Sequence, residues 1–274
     1  MRQILIISIS LLIFTACDII PENEREKPSE NLPTWKGQYV LLEDFTGVRC
    51  VNCPAAAEQI EVLKGVFGDK LIVVGLHPQT SAFNRPIGNP DSNGNNRDLS
   101  NAQAEEFREF FGIESLPKGI IMQKKELLEK DQFYSEVIQH YARNAIALLD
   151  VSANLTDSTV TITNSITFTD NYDGQGNTNL SLIIVEDSIL VTQLTPDGVV
   201  QNYRQDHVFR KMATPIWGNQ IAGSKIAKNS TFNYGGSATI AGEWKRNYLG
   251  VVAILFDNGT KEVIQAAYTH IIHK

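Results

Sequence analysis

The chain is poor in cysteine, with three among 274 residues. That is too few to staple a small secreted fold, so its folded parts must rest on hydrophobic cores. It is also poor in positive charge. Its 24 Lys and Arg stand against 31 Asp and Glu for a net −7, with no basic run, which argues against a nucleic-acid surface. No apolar stretch after residue 16 is long enough to span a bilayer. A tie to a membrane must therefore come from the N-terminus. At 42% hydrophobic residues the chain has ample core material, and its length suits two domains.

The few cysteines are pointedly placed. Cys17 closes the apolar stretch Leu11-Leu12-Ile13-Phe14-Thr15-Ala16-Cys17. Arg2 supplies a positive start, Ile4 to Phe14 an apolar core too short for a comfortable spanning helix, and Thr15-Ala16 a small pair before the cysteine. The expectation is a signal peptide over 1–16, removed to leave an acylated Cys17, since a cysteine placed there is otherwise unexplained. Residues 17–37 then form the lipidated cysteine and a flexible tether carrying Pro21, Pro28 and Pro33. Acidic Asp18, Glu22, Glu24 and Glu26 follow the cysteine, leaving a periplasmic or a surface-facing position open.

Residues 38–149 alternate strand and helix signals. Tyr39-Val40-Leu41-Leu42 leads into Asp44-Phe45 as a buried strand. Pro54 suits a first helical turn, and Ala56, Ile60, Leu63 and Phe67 recur at helical spacing. Leu71 to Leu76 reads as a second strand, 77–99 as a long loop, 100–111 as a helix ended by Gly112, and Ile120-Ile121-Met122 as a third strand. Leu127-Leu128 is a candidate fourth strand, and the pattern predicts a last helix from about Gln132 to Leu149 with Phe133, Val137, Tyr141 and Leu148 on its apolar stripe. From Asp150 the pattern turns to strands: Val160, Ile162, Ile166 and Phe168 alternate with Thr and Ser, more strands follow near 180–186, 189–194, 206–213, 230–234, 248–256 and 262–272, and Asn258-Gly259 marks a hairpin. The expected fold is α/β plus all-β, with an α/β domain over 38–149 and a β-sandwich of immunoglobulin type over 150–274.

The chemistry-bearing motif is Arg49-Cys50-Val51-Asn52-Cys53-Pro54. A C-x-x-C at a strand-to-helix junction is a redox motif, because the positive end of a helix stabilises a thiolate. Cys50, expected at the helix opening, is the candidate nucleophile, Arg49 beside it favours the thiolate, and Cys53 about one turn on would resolve a mixed disulfide. A carboxylate is needed to take the Cys53 proton. The other reading is a static bridge, although so small a loop gains little from chain entropy. Zinc needs more ligands than two cysteines supply, Pro54 excludes a haem-attachment motif, and His77 makes copper a minor alternative. No metal and no cofactor beyond the dithiol is expected. Tyr203, Asp206, His207, Arg210 and Lys211 form a polar cluster, read as a solvated strand face, and Trp217 and Trp244 as core.

Asp44-Phe45 ahead of Cys50, and Gly112-Ile113-Glu114-Ser115-Leu116-Pro117 ahead of a strand, resemble the thioredoxins. The resemblance covers 38–149. It implies that Asp44 is the buried proton acceptor, that Pro117 is the cis-proline facing the cysteines, and that Leu116 with Arg49 helps position substrate. Arg49 stands where thioredoxins have Trp, and Val51-Asn52 replaces Gly-Pro. Nearly all of the mature chain resembles a family of Bacteroidetes outer-membrane lipoproteins that join a thioredoxin-like domain with C-x-x-C-P to an immunoglobulin-like domain, on the evidence of Thr46 to Pro54, His207-Val208-Phe209-Arg210-Lys211 and Val263-Ile264-Gln265-Ala266-Ala267. Members are described as outer-membrane proteins, some as adhesins or receptors. Two functions follow as expectations. One is a lipid-anchored thiol–disulfide oxidoreductase acting on protein disulfides or dithiols with a separate redox partner. The other is a non-catalytic surface lipoprotein whose β-domain binds a ligand.

Overall fold

The strand Val40–Phe45 (β1) opens the fold, every residue buried, and among the described residues three α-helices and fifteen further strands follow it. The computed structural model describes residues 32–91 and 95–273, so the signal peptide, Cys17 and most of the tether lie outside the described residues. Helix Cys53–Phe67 (α1) buries Cys53, Ala56, Ile60, Leu63 and Phe67, the stripe read from the sequence. Leu71–Leu76 (β2) runs parallel to β1, with Asp44 opposite Gly75. Helix Ala102–Phe111 (α2) is capped by the Asn101 side chain, which accepts from the Gln103 and Ala104 amides, and it ends on Gly112 at φ 66°, a left-handed conformation glycine adopts without a Cβ penalty. Lys118–Ile121 (β3) pairs antiparallel with β1, Lys118 opposite Phe45. Leu128 meets Gly119 as an isolated bridge rather than a full strand.

The predicted helix over 132–149 divides. Phe133–Tyr141 (α3) is helical, but Ala147–Thr156 (β4) is a strand. Ala147 and Leu149 are buried while Leu148 is exposed, a period of two that a short apolar run conceals at the sequence level. Thr159–Phe168 (β5) pairs with β4 over ten positions. The remaining strands are Tyr172–Asp173 (β6), Thr178–Glu186 (β7), Ile189–Thr195 (β8), Gly198–Gln205 (β9), Val208–Met212 (β10), Asn219–Ala222 (β11), Lys225–Ile226 (β12), Thr231–Thr239 (β13), Leu249–Asp257 (β14), Val263–His270 (β15) and Ile272–His273 (β16).

One mixed sheet carries strands from both halves of the sequence, in the order β15-β14-β7-β10-β2-β1-β3, with β11 also on β7. The join is narrow: β10 runs parallel to β2 at a single pair, Val208 opposite Gly75, with the Gly75 amide donating to the His207 carbonyl. A second sheet, β13-β5-β4-β16, packs on it through Ile162, Ile166 and Phe168 against Leu182, Ile184, Val251 and Leu255. A hairpin of β8 and β9 stands apart from both sheets. The described chain is thus mostly β, with few helices and mixed sheets.

Candidate functional site

β1 ends at Phe45, and the chain turns through residues 46–52 before α1 begins. The Thr46 amide donates to the Leu76 carbonyl, tying the turn to the end of β2. Inside it, the Cys50 amide donates to Gly47 O and the Cys53 amide to Cys50 O. Cys50 and Cys53 are joined by a disulfide. Regular helix opens at Cys53, with Pro54 in its first turn, so Cys50 lies in the preceding turn rather than at the helix opening. Both cysteines are 2% exposed.

Beneath the loop, β1 buries two adjacent carboxyls whose side chains point to opposite faces of the sheet. Burial pushes Asp44 up to about 7, and its Oδ1 has no hydrogen-bond partner among the described residues. Burial also raises Glu43 to about 7, partly offset by the Gln123 amide that donates to its Oε1. Asp44 borders a cavity of about 160 Å³ shared with Glu58, Ile60 and Glu61 of α1 and with Tyr203 and Gln205 of β9. A carboxyl held near neutrality at the foot of a dithiol loop can take or return a proton at physiological pH.

Two segments hold the loop. The Arg49 amide donates to Phe83 O, and its guanidinium donates through Nε to Arg85 O and through a terminal nitrogen to Pro86 O. The guanidinium is thereby bound to the 77–99 segment, which also sends buried Asn84 to the carbonyls of Thr46 and Pro78. From the other side comes the β8–β9 hairpin. The Leu194 amide donates to Val48 O, and Gln193 Nε2 donates to Gly47 O at 3.1 Å and Cys50 O at 3.3 Å, while its Oε1 accepts from Gln205. Val48 packs with Leu99, Ile189, Val191 and Val208. Sequence reasoning missed Gln193. It is one of three polar residues in β8, beside Thr192 and Thr195, and nothing in the strand's sequence sets it apart.

The Leu116–Pro117 peptide is cis. Because Lys118 pairs with Phe45, the last residue before the disulfide-bearing turn, Leu116 and Pro117 stand at the same end of the sheet as that turn. Asp44, Cys50, Cys53, Arg49, Leu116 and Pro117 therefore gather at one sheet end.

The polar cluster is only partly a solvated face. Arg210 is mostly buried, with its guanidinium 3.4 Å from fully buried Glu186, which Arg97 also approaches at 3.4 Å, and stacked over Trp244. It sits where β10 enters the large sheet, so the strand face there is interior. His207 donates to Asp187 and accepts from Lys64 of α1 at 2.5 Å. His77 is buried and lowered to about 4 by burial and then by nearby Arg210. Among the described residues no three His, Cys, Asp or Glu side chains are grouped to hold a metal ion. Trp244 is core, whereas Trp217 is half-buried among Phe107, Phe110 and Phe111. A cavity of about 650 Å³ is lined by residues of α1, β2, β4 and β15 and by neither cysteine. No helix among the described residues is long and apolar enough to cross a membrane.

The combination of a mixed, mostly β fold with a helix-associated disulfide loop defines a class that the comparisons make specific. Residues 104–272 match the family described as outer membrane protein Omp28, and the chain belongs to that family of outer-membrane proteins. Its place is accordingly the outer membrane. HBP35 of Porphyromonas gingivalis superposes with a TM-score of 0.63 at 13% identity, over 87% of this chain and 76% of that one. A protein of Agrobacterium tumefaciens superposes with a TM-score of 0.51 at 14% identity, over 86% and 95%. A domain of the outer membrane lipoprotein Omp28 from Porphyromonas gingivalis, 14% identical, covers 48% of this chain and 93% of its own with a TM-score of 0.33. Among curated proteins none matches.

Proposed function

We propose that the protein is a lipid-anchored thiol–disulfide exchange protein of the outer membrane, tethered through Cys17, with a thioredoxin-like part ending near residue 149 and an immunoglobulin-like part after it. The observation that carries this reading is Asp44. A carboxyl raised to about 7 by burial, with an unpartnered oxygen, on the strand that feeds a disulfide loop, is a costly feature with an evident use.

In the oxidised form a partner thiolate attacks Cys50 Sγ. The partner–Cys50 bond forms, the Cys50–Cys53 bond breaks, and Cys53 leaves as a thiolate that accepts a proton from Asp44. A second partner thiolate attacks the partner sulfur of the mixed disulfide and releases Cys50. The partner has lost two electrons and become a disulfide, and the protein holds the dithiol. In reverse, Asp44 accepts the Cys53 proton, Cys53 displaces the partner from Cys50, and the electrons pass to the partner. Pro117 and Leu116, at the same sheet end as the loop, are assigned to position the partner segment, and Arg49 fixes the loop through Arg85 and Pro86.

A second reading is favoured by one observation, the 2% exposure of both cysteines. There the bridge is static and the β-rich half binds a surface ligand. The separating experiment uses the soluble chain from residue 18 and its Cys50→Ser variant in insulin-disulfide reduction with dithiothreitol as electron source. Acceleration by the parent chain, lost in the variant, supports exchange. A parent chain no faster than dithiothreitol alone leaves the binding protein.

A further inference from the structure

Among the described residues ten large hydrophobic side chains are exposed, and four lie in the redox loop or on segments bonded to it: Val51, Phe83, Val199 and Val200, at 37%, 43%, 58% and 41% exposure. They come from three segments. Val51 lies between the cysteines. Phe83 lies on the segment whose carbonyl accepts from the Arg49 amide. Val199 and Val200 lie near the tip of the β8–β9 hairpin, paired with Leu194 and Gln193, the two residues bonded to the loop at Val48, Gly47 and Cys50. Backbone contacts thus bring these segments to the disulfide loop, and Val200, opposite Gln193 in the hairpin, shares the face that Gln193 turns to that loop, whereas a typical surface leaves such residues scattered singly.

We propose that the β8–β9 hairpin is the substrate-recognition arm of the redox site, and that its partner is an extended, cysteine-bearing segment of an unfolded polypeptide. This rests on the exchange reading above. Cysteines are among the most buried residues of native proteins, so the apolar sequence around them is presented only by an unfolded chain. Phe83 on one segment and Val200 on the hairpin offer separate apolar contacts, which an extended segment can bridge and a small thiol cannot. A segment seated on the hairpin tip also bears on the latch. Displacing Gln193 from the Gly47 and Cys50 carbonyls loosens the cover over a cysteine that is otherwise nearly inaccessible.

The test uses the full soluble chain, reduced and freed of reductant. It is mixed with scrambled ribonuclease, a cystine-bearing polypeptide unfolded in native buffer, or with oxidised glutathione. Oxidation of Cys50 and Cys53 is followed by acid quench, alkylation and mass. In each case the two protein thiols become a disulfide and one partner disulfide becomes two thiols. The doubly substituted Val199→Ser, Val200→Ser variant is expected to react about tenfold more slowly with scrambled ribonuclease. Its rate with oxidised glutathione stays at the parent value. Both positions are exposed, and an unchanged melting temperature verifies the fold. Parent-like rates with both partners overturn the recognition arm and leave exchange standing. Equal slowing with both also overturns it, since the hairpin would then act on reactivity. A parent chain that reacts with neither removes the exchange reading itself.

Discussion

Replacing Asp44 by Asn tests the physical basis of the site without any substrate. The carboxyl titrates near 3.8 when solvated and is raised to about 7 by burial in the fold. On raising the pH the unfolded chain releases this proton first, so between those two values the native state binds more protons and loses stability as pH rises. The full cost, reached above both values, is about 4 kcal/mol, of which about 2.5 kcal/mol develops between about pH 5 and pH 8. Asn cannot ionise. Its own burial adds an offset that is the same at every pH. Urea unfolding at a series of pH values should therefore show Asp44→Asn gaining about 2.5 kcal/mol on the parent protein between about pH 5 and pH 8. Glu43 titrates alike in both proteins and cancels. Parallel stability curves across that window would show that Asp44 is not held neutral, and the proton-handling argument would fall with it.

Other consequences follow from packing and charge. A Cβ at Gly119 would stand 2.2 Å from the Phe133 ring, so Gly119→Ala should cost about 1–3 kcal/mol in chemical unfolding, and a parent-like midpoint would refute that packing. Glu186→Ala would remove the fully buried carboxylate that Arg210 and Arg97 both approach and should cost about 3–5 kcal/mol, measured the same way; a loss of a few tenths would mean that the cluster is open to solvent. His77 is lowered to about 4 from 6.5, so the unfolded chain gains its proton first on acidification and stability is lost as pH falls from 6.5 toward 4. His77→Phe should lack that loss, and an unchanged acid limb in thermal melts would contradict it.

Much of the site was legible because its parts are local. The loop from Asp44 to Pro54 and the run ending in Leu116-Pro117 each lie at a strand end, and their pairing needs only β1 beside β3. The strands β5, β7, β14 and β15 showed through alternation or through continuous apolar runs. What stayed hidden was long-range. The end of α3 was masked because Leu148 follows a helical stripe by coincidence of spacing. β9 gave no signal, since Gly198 to Arg204 is exposed or half-exposed on both faces and carries no apolar alternation. The hairpin's latch was invisible for the same reason, as Gln193 meets Cys50 across 143 residues of sequence. Arg210 read as part of a solvated face because its partners, Glu186 and Trp244, lie far from it in sequence, a compensation that composition does not reveal.

The most direct test of the central claim is the reduction potential of the Cys50–Cys53 pair, set by equilibration against glutathione buffers and read by alkylation. An exchange protein should poise between about −120 and −270 mV, the span of working oxidoreductases. A value below about −300 mV, the range of structural bridges, would contradict it.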